Sequence, residues 1–296
     1  MDQAPTPQAS LSGPGFGERL VEAGRNRGRL CVGIDPHAAL LAQWGFPDSV
    51  DGLRSFAMTC VEAFAGTVAL VKPQVAFFER FGSGGFAVLE DVLAALRESG
   101  TLTVADAKRG DIGSTMAGYA AAWLKPGSPL EADAVTLTPY LGVGSLAPAT
   151  ELAEENGKGV FVMAANSNPE AEQFQASSLA ELGGRTVAQY MVDECAACNA
   201  AAARDVNSGK AGATVGNIGV VVGATVARPP RLDGLCGPVL MPGVGAQGAT
   251  MKDVARIAEI DPELVFPSVS RSVLRSGPDV ADLQEQVSSL VWTNGT

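Results

Sequence analysis

Histidine is nearly absent from this chain, with one in 296 residues, His37. The five cysteines (Cys31, Cys60, Cys195, Cys198, Cys236) are odd in number and scattered. Neither a zinc cluster nor a disulfide framework is therefore indicated, and a reducing compartment fits. Basic residues are also scarce: Lys+Arg total 21 against 32 Asp+Glu, a net charge of −11. A nucleic-acid binder needs a broad cationic face to neutralise phosphates, and none can be built here. One phosphate is still within reach, because a few local cations and backbone amides can hold it in an acidic protein. No apolar run approaches the ~18 residues of a membrane span. The opening residues lack the basic stretch and apolar run of a secretory signal. The expectation is a cytoplasmic protein with no membrane and no nucleic-acid partner.

Cys195 and Cys198 form a CxxC, but inside the Ala-rich run Thr186–Ala203, which reads as a helix. A redox CxxC opens a helix, and zinc needs four ligands, so these thiols are read as structural and no metal site is assigned. Residues 1–15 are rich in Pro, Ser and Gly and are expected to form a flexible tail, with one domain over 16–296.

What is present is a repeated short apolar run, loop and helix-spaced segment. The runs are Leu30–Asp35, Val68–Pro73, Leu102–Lys108, Ala134–Thr138, Gly159–Ala164, Ile218–Val222, Pro238–Met241 and Leu264–Val269. Each is nearly continuous in Val, Leu and Ile, as in parallel strands buried on both faces. Helices are predicted over Gly52–Gly66, Gly84–Ser99, Thr115–Leu124, Ser145–Glu155, Leu182–Ala203, Met251–Glu259 and Val280–Leu290. The Arg228–Gly237 connection allows only a turn or two, and Asp205–Asn217 reads as a surface loop. Eight such runs over about 250 residues predict a single-domain (β/α)₈ TIM barrel. The first run ends in Gly33-Ile34-Asp35-Pro36 and not in GxGxxG, which disfavours a doubly wound dinucleotide fold.

Barrels react at the C-terminal ends of their strands, and Asp35, Lys72, Asp106, Lys108, Ser167, Gln247 and Arg271 fall there. Asp106 and Lys108 lie two apart in Asp-Ala-Lys-Arg-Gly-Asp-Ile-Gly-Ser-Thr, so they share one face of a strand. Asp111 follows in a loop that can fold back or reach a neighbouring subunit, and Lys72 adds a cation from the adjacent stave. An alternating Lys/Asp array results. A lysine between carboxylates keeps its ammonium form, which suits a proton donor to a carbanion and not a Schiff base. Taken alone, the D-x-K-x-x-D spacing fits a structural ion-pair network equally well. The Pro242–Gly248 loop after the seventh run and Ser270-Arg271 after the eighth then add a phosphate site. His37, at a helix start, is read as structural; Arg109 and Glu79 as charge-balancing partners; Trp44, Trp123 and Trp292 as packing.

With these motifs the chain resembles the orotidine 5′-phosphate decarboxylase family, in its longer bacterial branch, from about Phe16 to the last helix. The carriers are Gly33-Ile34-Asp35-Pro36, Lys72-Pro73-Gln74-Val75-Ala76-Phe77-Phe78-Glu79, the Asp106–Thr115 segment, Ser167-Asn168-Pro169, the Pro242–Gly248 loop and Ser270-Arg271. The resemblance implies decarboxylation of orotidine 5′-monophosphate (OMP) to UMP in pyrimidine synthesis, with no cofactor. It implies Lys108 as proton donor to C6 and Asp106 beside the departing carboxylate. Asp35 and Lys72 would hold the ribose, Ser167 would face the pyrimidine, and Gln247 and Arg271 would bind the phosphate. Asp111 and Thr115 would reach across a homodimer into the partner's site. The chain departs from the family pattern at Ala164-Ala165-Asn166, where a basic residue and a threonine are common, and at Gly144, where an aspartate is. Two rivals remain: a metal-dependent aldolase or decarboxylase acting on a sugar phosphate, and a nucleotide-phosphate binder without catalysis.

Overall fold

The computed structural model describes residues 13–204, 215–245 and 248–290. The strands are β1 (Cys31–Ile34), β2 (Leu70–Pro73), β3 (Leu102–Arg109), β4 (Ala134–Leu137) and β5 (Gly159–Ala165), then β6 (Ser178–Leu179) and β7 (Arg185–Thr186), then β8 (Ile218–Val222), β9 (Val239–Pro242) and β10 (Val265–Val269). Eight of them close a barrel in the order β1-β10-β9-β8-β5-β4-β3-β2, every pairing parallel. β6 and β7 form a small antiparallel hairpin outside it. This is the single-domain (β/α)₈ TIM barrel that the repeating runs predict. The expected tail at residues 1–15 lies almost wholly outside the described residues.

The strand residues divide by their two-residue period. Cys31, Leu70, Val104, Ala134, Phe161 and Phe266 pack together inside the barrel. Val32, Val71, Ala105, Val135, Val160 and Val265 pack outward against the helices. Both faces are buried, which is why the runs are apolar throughout and not alternating.

A helix over Phe16–Arg27, absent from the sequence-based expectation, closes the N-terminal end of the barrel. Phe16 is fully buried and meets the Phe161 ring edge-on at 5.9 Å. Gly159 makes that approach possible, since a Cβ there would stand 2.1 Å from the Phe16 ring. Arg19 bonds Asp133 at 2.9 Å and the Gly157 carbonyl at 3.0 Å. The Gly17 amide donates to Asn217 Oδ1 at 3.1 Å. Asn217, expected at the end of a surface loop, is thus buried; residues 205–214 of that loop lie outside the described residues.

Other expectations hold with shifted ends. The helix predicted from Leu182 starts at Val187, because residues 178–186 form the hairpin instead. Between β8 and β9 the chain makes turns without a helix. Cys195 and Cys198 lie within the helix Val187–Arg204, where burial raises both thiols above their ordinary range. His37 precedes the helix Ala38–Gln43 and stacks on Phe77 at 4.1 Å. Arg109 pairs with Glu79 at 3.2 Å, Trp44 packs on Phe56 and Trp123 is buried, while Trp292 lies outside the described residues.

Candidate active site

The interior face of β3 begins with Leu102 and Val104. The same alternation carries Asp106 and Lys108 on toward the C-terminal mouth. There the Asp106 carboxylate is gripped on both oxygens. Lys72 Nζ, from β2, donates to Oδ2 at 2.8 Å, and Lys108 Nζ donates to Oδ1 at 2.6 Å. Thr136, from β4, donates its hydroxyl to Oδ1 at 2.9 Å and accepts from the Lys108 amide at 2.9 Å. Three neighbouring strands therefore fix one chain of charges.

The backbone bends to achieve this. The β3–β4 register shifts between Ala105 and Arg109, and Lys108 adopts φ +49°, a left-handed conformation that L-residues rarely occupy. Such strain is retained at sites where the surrounding structure over-determines it. Gly110 then passes the Thr138 carbonyl so closely that a Cβ would stand 2.3 Å from its oxygen.

The electrostatics are those of a desolvated triad with one end open. Burial alone would push the Asp106 carboxyl up, but Lys72 and Lys108 outweigh it and hold the group well below the usual carboxylate range. Burial would likewise lower the Lys72 ammonium, yet Asp106 and Asp35 reverse this and raise it. Both are charged at neutral pH. The Asp106 and Lys72 side chains are each 8% exposed, whereas Lys108 is 41% exposed. The accessible member of the triad is an ammonium. One layer deeper, burial pushes the Cys31 thiol up to about 12, so it is a neutral part of the barrel filling.

These groups face a cavity of ≈ 240 Å³ at the C-terminal mouth. Asp35, Lys72, Asp106, Lys108, Ser167 and Arg271 all line it, so six of the sequence-predicted residues converge from β1, β2, β3, β5 and β10. Gly243 and Val244 supply the wall after β9. Gly243 and Gly245 both take positive φ there, and the turn closes through Gly245 N to Ala249 O at 2.9 Å. Gln247 lies outside the described residues. Asp111 and Thr115 are not part of this chain's cavity lining. Asp111 Oδ1 instead accepts from the Ile112 amide at 2.8 Å, and Thr115 is exposed on the following helix, Gly113–Leu124.

Sequence reasoning missed two supports. Thr136 was legible only as the third residue of an apolar strand. Gln175, the last residue of the helix Pro169–Gln175, was not singled out at all. Its Oε1 accepts from the Asn166 amide at 2.6 Å and its Nε2 donates to Asn166 Oδ1 at 3.1 Å. The Gly223 amide holds the Ala165 carbonyl at 2.8 Å from the other side. Asn166, one of the departures from the family pattern, thus pins the segment that carries Ser167.

A family model described as orotidine 5′-phosphate decarboxylase / HUMPS family matches residues 28–286. An orotidine 5′-phosphate decarboxylase of Corynebacterium glutamicum is 60% identical over 272 residues, covering 92% of this chain and 95% of its own. That of Salinispora arenicola is 52% identical over 270 residues, covering 91% and 93%. Among solved structures, a Streptomyces avermitilis protein provisionally named as an orotidine 5′-phosphate decarboxylase superposes with a TM-score of 0.87. It is 49% identical, and the match covers 98% of this chain and 97% of that one.

Proposed function

The chain belongs to the orotidine 5′-phosphate decarboxylase / HUMPS family, and from that premise we propose that it converts OMP to UMP in cytoplasmic pyrimidine synthesis through a C6 carbanion that Lys108 protonates, without metal or organic cofactor. The observation that carries the reading is the Lys72–Asp106–Lys108 chain, buried at one end and presenting an ammonium to the cavity at the other.

Loss of CO₂ from C6 leaves an sp² carbanion with no adjacent electron sink, so the barrier must fall by electrostatics. An ammonium fixed near C6 interacts more strongly with the developing carbanion than with the neutral carbon, which is selective stabilisation of the transition state. It can then deliver its proton to the same atom. Asp106 sets the position of both lysines and lies beside the departing carboxylate. Asp35 and Lys72 hold the ribose, Ser167 faces the pyrimidine, and Arg271 with Gln247 takes the phosphate. Binding energy gathered at that phosphate orients the ring without acting on C6 directly.

Asp111 and Thr115 serve the partner's site in a homodimer. Two observations support this: both lie outside their own chain's cavity lining, and their neighbour Ile112 is 60% exposed. Tyr140 and Leu141, in the loop after β4, add exposed apolar surface on the same mouth, at 77% and 56%.

The test is the ultraviolet absorbance of OMP with purified protein in EDTA, beside Lys108→Ala. Conversion to UMP that falls by at least ~10³-fold in the variant is the expected result. Tight UMP binding without turnover would assign a binding protein instead. Turnover lost in EDTA and restored by Mg²⁺ would overturn the metal-free route.

A further inference from the structure

The side-chain amide of Asn166 has one end taken and one end open. The Asn166 backbone N–H can only donate, so the Gln175 atom 2.6 Å from it is the carbonyl oxygen Oε1. Gln175 Nε2 is then the donor lying 3.1 Å from the Asn166 side chain, and the atom it meets there is the acceptor Oδ1. One peptide N–H thereby fixes the sense of both amides. The end of Asn166 left over is Nδ2, a neutral donor of two protons. Among the described residues, no group accepts from it. Asn166 is half-buried and lines the mouth cavity between Ala165 and Ser167, whereas Gln175 stands behind that lining.

The stave on which Asn166 stands decides what that donor meets. Asn166 directly follows β5, and around the closed barrel only β4 separates β5 from β3, which carries Lys108. β8 and β9 separate it from β10, which leads into Arg271, and β1, which leads into Asp35, lies directly opposite. In the nucleotide reading the sugar sits by Asp35, the phosphate by Arg271 and the reacting carbon by Lys108. The part of the substrate that reaches β5 is therefore the ring. A pyrimidine dione presents two carbonyl oxygens at its rim, and these only accept, so an amide NH₂ matches them. We propose that Asn166 is a substrate-binding residue whose Nδ2 donates to a pyrimidine carbonyl oxygen, and that Gln175 is the positioning residue that keeps this end of the amide toward the cavity. The assignment rests on the nucleotide reading above and adds to it a ring contact made by a side chain at which the sequence departs from the family pattern.

Isothermal titration of UMP and ribose 5-phosphate into the wild type, Asn166→Leu and Gln175→Glu tests both halves. Leucine removes the donor at similar size. Glutamate still accepts from the Asn166 N–H but turns a second acceptor to its side chain, so the Asn166 amide reverses and offers Oδ1 to the cavity. Both variants are expected to bind UMP about 3–10-fold more weakly, the worth of one hydrogen bond. Both are expected to bind ribose 5-phosphate, which has no ring, as the wild type does. An equal loss for the two ligands would mean that Asn166 acts on the loop or the phosphate, and would overturn the contact. So would a wild type that holds UMP no more tightly than ribose 5-phosphate. A loss confined to Asn166→Leu would overturn the orienting role of Gln175. Should Asn166→Leu fail to fold, Asn166→Ala takes its place with the same expectation. A wild type that binds neither ligand overturns the nucleotide reading and the contact with it, whereas UMP binding unchanged in the variants overturns only the contact.

Discussion

Asp106 accepts from Lys72, Lys108 and Thr136 while almost wholly withdrawn from water. Removing its charge leaves the buried Lys72 ammonium without its partner, an effect worth about 3–5 kcal/mol for a buried pair. Asp106→Asn is therefore expected to lower stability by that order in urea unfolding at neutral pH. The pH dependence follows from the two directions of shift. The Asp106 carboxyl is held below its ordinary value, so its contribution is present above about pH 4 and disappears as pH falls toward the lower native value. The Lys72 ammonium is raised, so its contribution is present below about pH 10.4 and is lost only as pH climbs past it. Across that window the gap between wild type and Asp106→Asn is expected to be flat, closing at the acid and alkaline ends. A gap that instead changed between pH 6 and 8 would show that some other group governs it.

The elements whose period and composition agree were legible in the sequence. The runs around Val71, Val104 and Val220 are apolar on both faces, and each became a barrel strand. The charged residues that interrupt such runs at their ends (Lys72, Asp106, Lys108) were legible for the same reason, because a charge there must be paired or used. What escaped was anything whose signal is local and polar. Thr136 looks like an ordinary β-branched strand residue, and Gln175 like a surface helix residue, until the fold sets them beside Asp106 and Asn166. The Phe16–Arg27 helix escaped although Phe16, Leu20, Val21 and Gly24 keep helical spacing, because it follows directly on the Pro-, Ser- and Gly-rich opening and its place against the barrel depends on Gly159 far along the chain. That dependence is testable. Phe16→Ala is expected to cost about 3–5 kcal/mol in unfolding free energy. The folded fraction should keep the kcat of the wild type, since Phe16 lies at the end of the barrel away from the mouth. A large fall in kcat at unchanged stability would contradict this separation.

At the scale of the whole molecule, the barrel gathers six predicted site residues from five strands, yet leaves Asp111 and Thr115 outside the cavity they are expected to serve. A two-fold dimer resolves this if each site draws Lys108 from one subunit and Asp111 from its partner. Mixing Lys108→Ala with Asp111→Ala protein then produces heterodimers in which one site has lost both residues and the other has lost neither. With free exchange, about a quarter of all sites regain the full set, so activity is expected to recover toward that fraction. The measurement is turnover after co-incubation, with exchange verified by a tag on one variant. Verified exchange with no recovery would place Asp111 in its own subunit's site or in none.

Lys108 also has a consequence for how this sequence can change over time. Its φ of +49° suits glycine far better than lysine, a preference worth roughly 1 kcal/mol. Glycine there would relieve the backbone but forfeit the ion pair to the buried Asp106 carboxylate, so the position sets backbone ease against the cavity's ammonium. If Lys108 is the proton donor proposed above, a change that eases the backbone at this residue also removes the group on which the reaction depends.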